Sequence, residues 1–274
     1  MQQSNRLLTS VGFIGGGNMA TAMVTALASL EHRPTITVSE PDAQKRANLA
    51  AHGATTVNDN ATAVAASRVI VLAIKPQMAA DVVPGLAATW TPDKVLVSIL
   101  AGMTTKKLAA WLPAGARIIR AMPNTPLAIG MGMVGLCRGA AATEDDLVLA
   151  EELFASCAKV LRVSDESRMD AITAVSGSGP AYVFRTAEAL IAAAEALGFT
   201  RAEAELLVGQ TLAGSVEYLL VQGVGQAGRL REQVTSPGGT TAAALQTLEA
   251  GSFGPLWVRA LAVAAQRGRE LGGG

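Results

Sequence analysis

The sequence predicts an α/β chain in two parts, a doubly wound sheet over residues 1–164 and an all-helical domain over residues 165–274. Three observations carry the prediction. Short apolar runs alternate with helical stretches as far as Val163, the pattern of successive βαβ units. From Asp165 onward the strand signal disappears and only helical periodicity remains. Between Val11 and Ala20 a short apolar run meets three consecutive glycines and then resumes as a helix.

That third stretch, VGFIGGGNMA, organises the rest. Val11, Phe13 and Ile14 read as a buried strand, and Asn18 to Leu30 as a helix. Gly15, Gly17 and Ala20 occupy the G-x-G-x-x-G/A positions of a Rossmann-like dinucleotide-binding unit. Gly15 permits the tight turn, Gly17 lets the backbone approach a pyrophosphate, and Ala20 keeps the helix close to its strand. The helix N-terminus, with Asn18 and Met19 in its first turn, offers free N–H groups and a positive dipole end to phosphates. The plainer reading is a glycine-rich turn in another α/β fold, such as a methyltransferase.

The remaining elements follow in order. Thr35 to Val38 is a second strand that ends at Ser39, Glu40 and Pro41, and a helix carrying Lys45 and Arg46 comes next. Thr55 to Val57 and Val69 to Ile74 are strands separated by a short helix from Ala61 to Ala66. The all-apolar VIVLAI run suits the centre of a parallel sheet. Val95 to Leu100, Arg117 to Ala121, Val134 to Cys137 and Val160 to Val163 complete eight strands, with a helix from Glu144 to Ala158 before the last. Helices then cover Ala181 to Leu197, Arg201 to Gln222, Ala242 to Glu249 and roughly Pro255 to Glu270. The first of these carries charge only at Arg185, Glu188 and Glu195, so most of its faces are apolar. In so small a helical part, a subunit interface is the expected home for such faces.

Composition narrows the partners. The chain has 22 basic and 22 acidic residues, which argues against nucleic acid or an anionic membrane surface. Apolar residues make up 50% and charged residues 16%, a balance that points to buried interfaces. No apolar run approaches the length of a membrane span, and the segment from Leu7 to Ile14 meets glycines too early for a signal-peptide core. Cys137 and Cys157 stand apart without metal-ligand spacing, so no metal site and a cytoplasmic location are expected.

Ligands of open α/β sheets bind beyond the carboxyl ends of the strands. Ala73-Ile74-Lys75-Pro76, Ala101-Gly102-Met103 and Met122-Pro123-Asn124-Thr125-Pro126 each leave a strand there, although each also reads as an ordinary solvated or proline-bounded loop. In the helical half, AVSGSGPAY (174–182) reads as a helix break. TSPGGTT (235–241) reads as a helix start, with a capping residue and a proline suited to the first turn. Both also read as anion sites, to which Ser178, Ser236, Thr240 and Thr241 would add hydroxyl donors. No lysine or histidine occurs after Lys159. A hydroxyacid dehydrogenase needs such a base to take the hydroxyl proton. Neutral polar loops suit instead a substrate that arrives protonated, such as a cyclic iminium carrying a carboxylate.

The motifs VGFIGGGNMA, VLAIKPQ (71–77), SILAGM (98–103), RAMPNTP (120–126), AVSGSGPAY and VTSPGGTT (234–241) resemble those of the pyrroline-5-carboxylate reductases, in order and spacing, across nearly the whole chain. The resemblance implies NAD(P)H-dependent reduction of 1-pyrroline-5-carboxylate to L-proline, the last step of proline biosynthesis. It implies an all-α C-terminal dimerisation domain, active sites that combine one subunit's nucleotide domain with helices of its partner, and homodimers able to assemble into decamers. Carried over residue by residue, Gly15, Gly16, Gly17, Asn18, Met19, Ser39, Glu40, Asn60, Ala73, Ile74, Lys75, Pro76, Ala101 and Gly102 would hold NADP(H) or NAD(H), with Asn124 beside the nicotinamide. Ser178, Ser236, Gly239, Thr240 and Thr241 would hold the substrate, the Thr241 hydroxyl near the ring nitrogen. Glu40 departs from the small polar residue that many relatives carry, which brings the usual NADPH preference into question. Either Glu40 reads the ribose, or the Pro41 turn aims it into solvent. A β-hydroxyacid dehydrogenase and a non-catalytic dinucleotide sensor are the competing readings.

Overall fold

The computed structural model describes residues 8–272; Leu7, where the N-terminal apolar segment begins, and Gly273 and Gly274 lie outside the described residues. The eight expected strands form a single sheet. They are β1 (Ser10–Ile14), β2 (Thr35–Ser39), β3 (Thr55–Val57), β4 (Val69–Leu72), β5 (Val95–Ser98), β6 (Arg117–Pro123), β7 (Gly132–Arg138) and β8 (Ala158–Arg162). Their order is β3-β2-β1-β4-β5-β6-β7-β8, and every neighbouring pair is parallel except β6 with β7. The order reverses between β1 and β4, so a crevice opens where the glycine loop leaves β1.

Period-two alternation assigns each strand's side chains to opposite faces. Val11, Phe13, Val69, Val71, Val95 and Val97 join one apolar cluster with Met23 and Leu27 of α1 (Asn18–Ala28) and with Leu153 and Phe154 further along the chain. Ile14, Ile70, Leu72, Leu96 and Ile118 join a second cluster with residues of three further helices. Fully buried strands with both faces covered therefore read as unbroken apolar runs.

The crossovers are α2 (Ala43–Ala51), α3 (Asn60–Ala65), α4 (Ala79–Leu86) and α5 (Thr105–Ala109), and α6 (Glu144–Phe154) precedes β8. Residues of α3, α4 and α5 supply the second cluster's helical side chains. The sequence reading is silent on α4 and α5. Pro84 lies inside α4 and obscures its periodicity, and α5 has only five residues. The helix expected to run to Ala158 stops at Phe154, because Cys157 N–H turns back to the Phe154 carbonyl and Ala158 begins pairing with Gly132.

The chain divides into two compact units. One holds the residues up to Ser178 together with those from Ala262 onward, and the other is Gly179–Leu261. The division falls later than residue 164 for a packing reason. Met169, in α7 (Arg168–Ile172), clusters with Cys137 and Val163. A side chain on Gly135 of β7 would lie 2.8 Å from Ile172. The segment after β8 thus belongs to the sheet's unit. It ends in a π-helical turn (Thr173–Gly177), closed by the Ser178 N–H on the Thr173 carbonyl at 2.8 Å. The stretch expected as a helix break is this widened turn, with the chain still coiled through it.

The other unit comprises α8 (Gly179–Ala196), α9 (Arg201–Gln222), α10 (Ala227–Gln233), α11 (Thr240–Ala250) and the start of α12 (Phe253–Leu271). Within Gly179–Leu261 only Ala204 and Val208 are buried. Phe184 is 62% exposed, Leu206 73%, Val221 70% and Val258 71%. Tyr182 and Trp257 meet edge to face, ring centroids 5.7 Å apart. A helical unit with so little enclosed surface cannot pay for its own ordering. Among the described residues, no helix is long and apolar enough to cross a membrane.

Candidate active site

The loop after β1 is built around one backbone requirement. Gly15 has φ +98°, and a Cβ there would stand 2.7 Å from the Ala73 carbonyl oxygen. Its N–H donates to the Ser39 carbonyl at 2.9 Å and so ties the turn to the end of β2. Gly17 caps α1 without a side-chain bond, the first turn holds no acidic residue, and the space a Gly17 Cβ would fill is open. The free N–H groups and dipole end of an eleven-residue helix therefore face room for an anion, which suits a dinucleotide pyrophosphate. Asn18 is exposed and Met19 half-buried in that turn.

Glu40 does not point into solvent. It is 7% exposed, and its carboxylate accepts the Gly16 N–H at 2.8 Å and the Asp42 N–H at 3.1 Å. The Arg46 guanidinium donates instead to the Glu40 and Pro41 carbonyls, at 2.8 and 2.7 Å. A carboxylate without a cation on it thus closes the floor of the glycine loop, at the place where an adenosine ribose would lie. Ser39 donates its hydroxyl to Asn60 Oδ1 at 2.7 Å, joining the end of β2 to the start of α3. Ser39, Glu40 and Asn60 therefore form one connected edge with the loop.

The other strand ends are less uniform. Ala73 continues the β1 ladder, its N–H donating to the Ile14 carbonyl at 2.9 Å. Ile74 is half-buried, Lys75 is exposed, and Pro76 opens a short 3-10 turn. Ala101 is half-buried. Gly102 is buried at φ +73°, and a Cβ on it would stand 3.0 Å from Gly272 N and 3.1 Å from the Gly268 carbonyl. Its missing side chain makes room for the end of α12.

Asn124 follows β6 with its whole amide engaged. Oδ1 accepts the Met133 N–H at 2.9 Å, and Nδ2 donates to the Ser176 carbonyl and hydroxyl at 3.3 and 3.4 Å. Beneath it lies a charged cluster that sequence reasoning missed. Arg120, 3% exposed on β6, pairs with Asp170 at 2.7 Å and Glu166 at 3.5 Å. Glu166 in turn accepts the N–H and hydroxyl of Thr105, each at 2.7 Å. The only signal was an arginine in the middle of the strand, among apolar residues beyond Arg117 at its start. Burial, with the Glu166 charge second, pushes the Cys137 thiol up, and burial pushes Cys157 up. Raised thiols are poor nucleophiles and poor ligands.

In the helical unit, α11 starts at Thr240 with Gly239 as its cap and no side-chain cap bond. This corrects the expected start, in which a capping residue and the proline of TSPGGTT begin the helix. Ser236 and Pro237 form a turn closed by the Gly239 N–H on the Ser236 carbonyl at 3.0 Å. A Cβ on Gly239 would collide with Ser236 Oγ, so the glycine lets that hydroxyl lie against the helix start. Thr240 is exposed and Thr241 half-buried on the first turn, which has no acidic residue. Ser236, Gly239, Thr240 and Thr241 are thus brought together; Ser178 lies at the end of the other unit's π turn.

Fold and site define a class: a nicotinamide-dinucleotide oxidoreductase whose Rossmann-type sheet precedes a helical dimerisation domain. Residues 10–102 match a family described as NADP oxidoreductase coenzyme F420-dependent, and residues 166–271 match pyrroline-5-carboxylate reductase dimerisation. The chain is 40% identical to the pyrroline-5-carboxylate reductase of Pisum sativum over 96% of each chain. Its fold is similar to that of a pyrroline-5-carboxylate reductase from Coxiella burnetii, with TM-score 0.87, 39% identity and 96% and 98% of the two chains covered. A Plasmodium falciparum pyrroline carboxylate reductase with NADP bound superposes at TM-score 0.85, with 28% identity and 97% and 99% covered. The chain belongs to the pyrroline-5-carboxylate reductase family.

Proposed function

We propose that the chain reduces 1-pyrroline-5-carboxylate to L-proline with NADPH or NADH, the closing step of proline biosynthesis. The observation that carries the chemistry is the start of α11, an uncapped helix N-terminus bearing Ser236, Thr240 and Thr241 in a unit that has no lysine or histidine. The free N–H groups and hydroxyls hold the substrate carboxylate. Thr241 Oγ1 hydrogen-bonds the ring nitrogen and orients the imine carbon. An imine already protonated on nitrogen accepts a hydride at that carbon without a general base, so a lysine is not needed there. When bound, the dinucleotide supplies that hydride.

Toward the cofactor, the Gly15–Met19 loop takes the pyrophosphate, Ser39, Glu40 and Asn60 line the adenosine side, and Ala73–Pro76, Ala101 and Gly102 lie along the strand ends toward the nicotinamide. Function divides between residues 164 and 165, a reading supported by the dimerisation match from residue 166 onward. The working form is a homodimer, in which the nucleotide-binding unit of one protomer meets the helical unit of its partner; dimers associate further into decamers. The near absence of buried residues in Gly179–Leu261 supports this reading. Two free, buried cysteines support a reducing cytoplasm.

The test is oxidation of NADPH and NADH by the purified protein with and without 1-pyrroline-5-carboxylate. Oxidation that requires this substrate, with proline as product, is expected. Oxidation driven by a 3-hydroxyacid's keto form favours the β-hydroxyacid dehydrogenase reading, and cofactor binding without turnover favours a sensor.

A further inference from the structure

Pro180 follows the π turn and has no N–H to offer. In a regular α-helix the residue at 180 would donate to the Ser176 carbonyl four residues earlier. That carbonyl receives instead the side chain of Asn124, whose Nδ2 lies 3.3 Å away, with the Ser176 hydroxyl at 3.4 Å. The amide's orientation is fixed from its other end, because Met133 N–H is a donor and requires Oδ1 to face it at 2.9 Å. The same strand touches the turn a second time. A side chain on Gly177 would lie 2.6 Å from Met122 Cε, so the missing Cβ lets the turn settle on β6. π-Helical turns are uncommon and concentrate at functional sites.

We propose that Asn124 is a positioning residue for substrate. It fills the donor position that Pro180 leaves empty, holds the Thr173–Gly177 turn against the end of β6, and thereby places Ser178 for the substrate. The inference rests on the reading that Ser178 contacts 1-pyrroline-5-carboxylate. It assigns the Asn124 amide to the substrate side of the site, although the residue follows a strand of the nucleotide-binding sheet.

Asn124→Asp keeps the acceptor for Met133 and removes the donor to Ser176 at nearly unchanged volume. The expected result is a tenfold or larger rise in KM for 1-pyrroline-5-carboxylate, with the NADP dissociation constant, measured by titration calorimetry, within twofold of the parent. Amide hydrogen exchange over 173–179 should quicken while β1 and β4 stay protected. Pro180→Ala restores an N–H four residues after Ser176, so adding it to Asn124→Asp should recover at least a third of the lost substrate affinity. An unchanged substrate KM, or an NADP dissociation constant that rises in step with it, overturns the proposal. A double variant as impaired as Asn124→Asp alone overturns the link to Pro180. If Asn124→Asp does not fold, Asn124→Ser with and without Pro180→Ala carries the same comparison. Failure of the functional reading is separable, since it would appear as inactivity of the unaltered protein.

Discussion

At the scale of single residues, the proposed chemistry and cofactor choice rest on two hydrogen-bonding groups. Thr241 lies half-buried on the first turn of α11, in a unit without lysine or histidine. A positioned donor or acceptor at a reacting nitrogen is typically worth about 1–4 kcal/mol in the transition state, roughly ten- to a thousandfold in rate. Thr241→Ala is expected to lower kcat/KM for 1-pyrroline-5-carboxylate within that range and to leave cofactor binding alone; steady-state kinetics with full activity would remove the residue from its role. The proposed role of Glu40 rests on charge. Its carboxylate is held by Gly16 and Asp42 amides, and Arg46 is spent on backbone carbonyls. A 2′-phosphate a few ångströms away meets a repulsion of roughly 1–4 kcal/mol at effective dielectrics of 80 to 20. Glu40→Ser is expected to shift the kcat/KM ratio toward NADPH by about fivefold or more, the low end of that range. It also weakens both cofactors, because Gly16 loses its acceptor. A ratio that does not move shows that the side chain does not read the ribose.

At the scale of elements, caps and pairs place the strand ends. Thr143 and Asp146 form a reciprocal capping box at the start of α6, and Asp146, 1% exposed, also pairs with Arg117 of β6 at 2.8 Å. One carboxylate therefore starts a helix and fastens it to the sheet. Removing one partner of a buried pair strands the other. Arg117 keeps a partly open side chain, so Asp146→Ala should cost about 2–3 kcal/mol, below the fully buried case. Urea denaturation at fixed protein concentration measures it, and a midpoint unchanged from the parent would show that α6 docks through its apolar face alone.

At the scale of the whole molecule, assembly is the leading question. The apolar residues of Gly179–Leu261 are exposed on helix after helix, and only Ala204 and Val208 are buried there. Such surface exceeds what monomers carry in water. Sedimentation velocity at micromolar concentration is expected to show a dimer or a multiple of it, with activity lost on dilution below the dimer dissociation constant. A stable, active monomer would refute the assembly.

Much of this was legible in the residues. Alternation of period two and glycine stops are local, so all eight strands and the turn at Gly15 could be read without knowing what lies opposite them. The uniform apolarity of Val69 to Leu72 announced a strand covered on both faces. Tertiary structure decided what local pattern does not encode. Glu40 turns inward because the Gly16 amide of a different strand's loop comes within its reach, and Arg120 finds Asp170 and Glu166 across some fifty positions of sequence. The sheet's unit runs on to Ser178 because α7 packs under Gly135, and Asn124 reaches a carbonyl left open by a proline. Periodicity sets which elements form, since each residue's backbone preference acts on its neighbours in the chain. The partner of a buried polar group is set by whatever donor or acceptor the packed elements bring within about 3 Å of it, and that is a property of the fold.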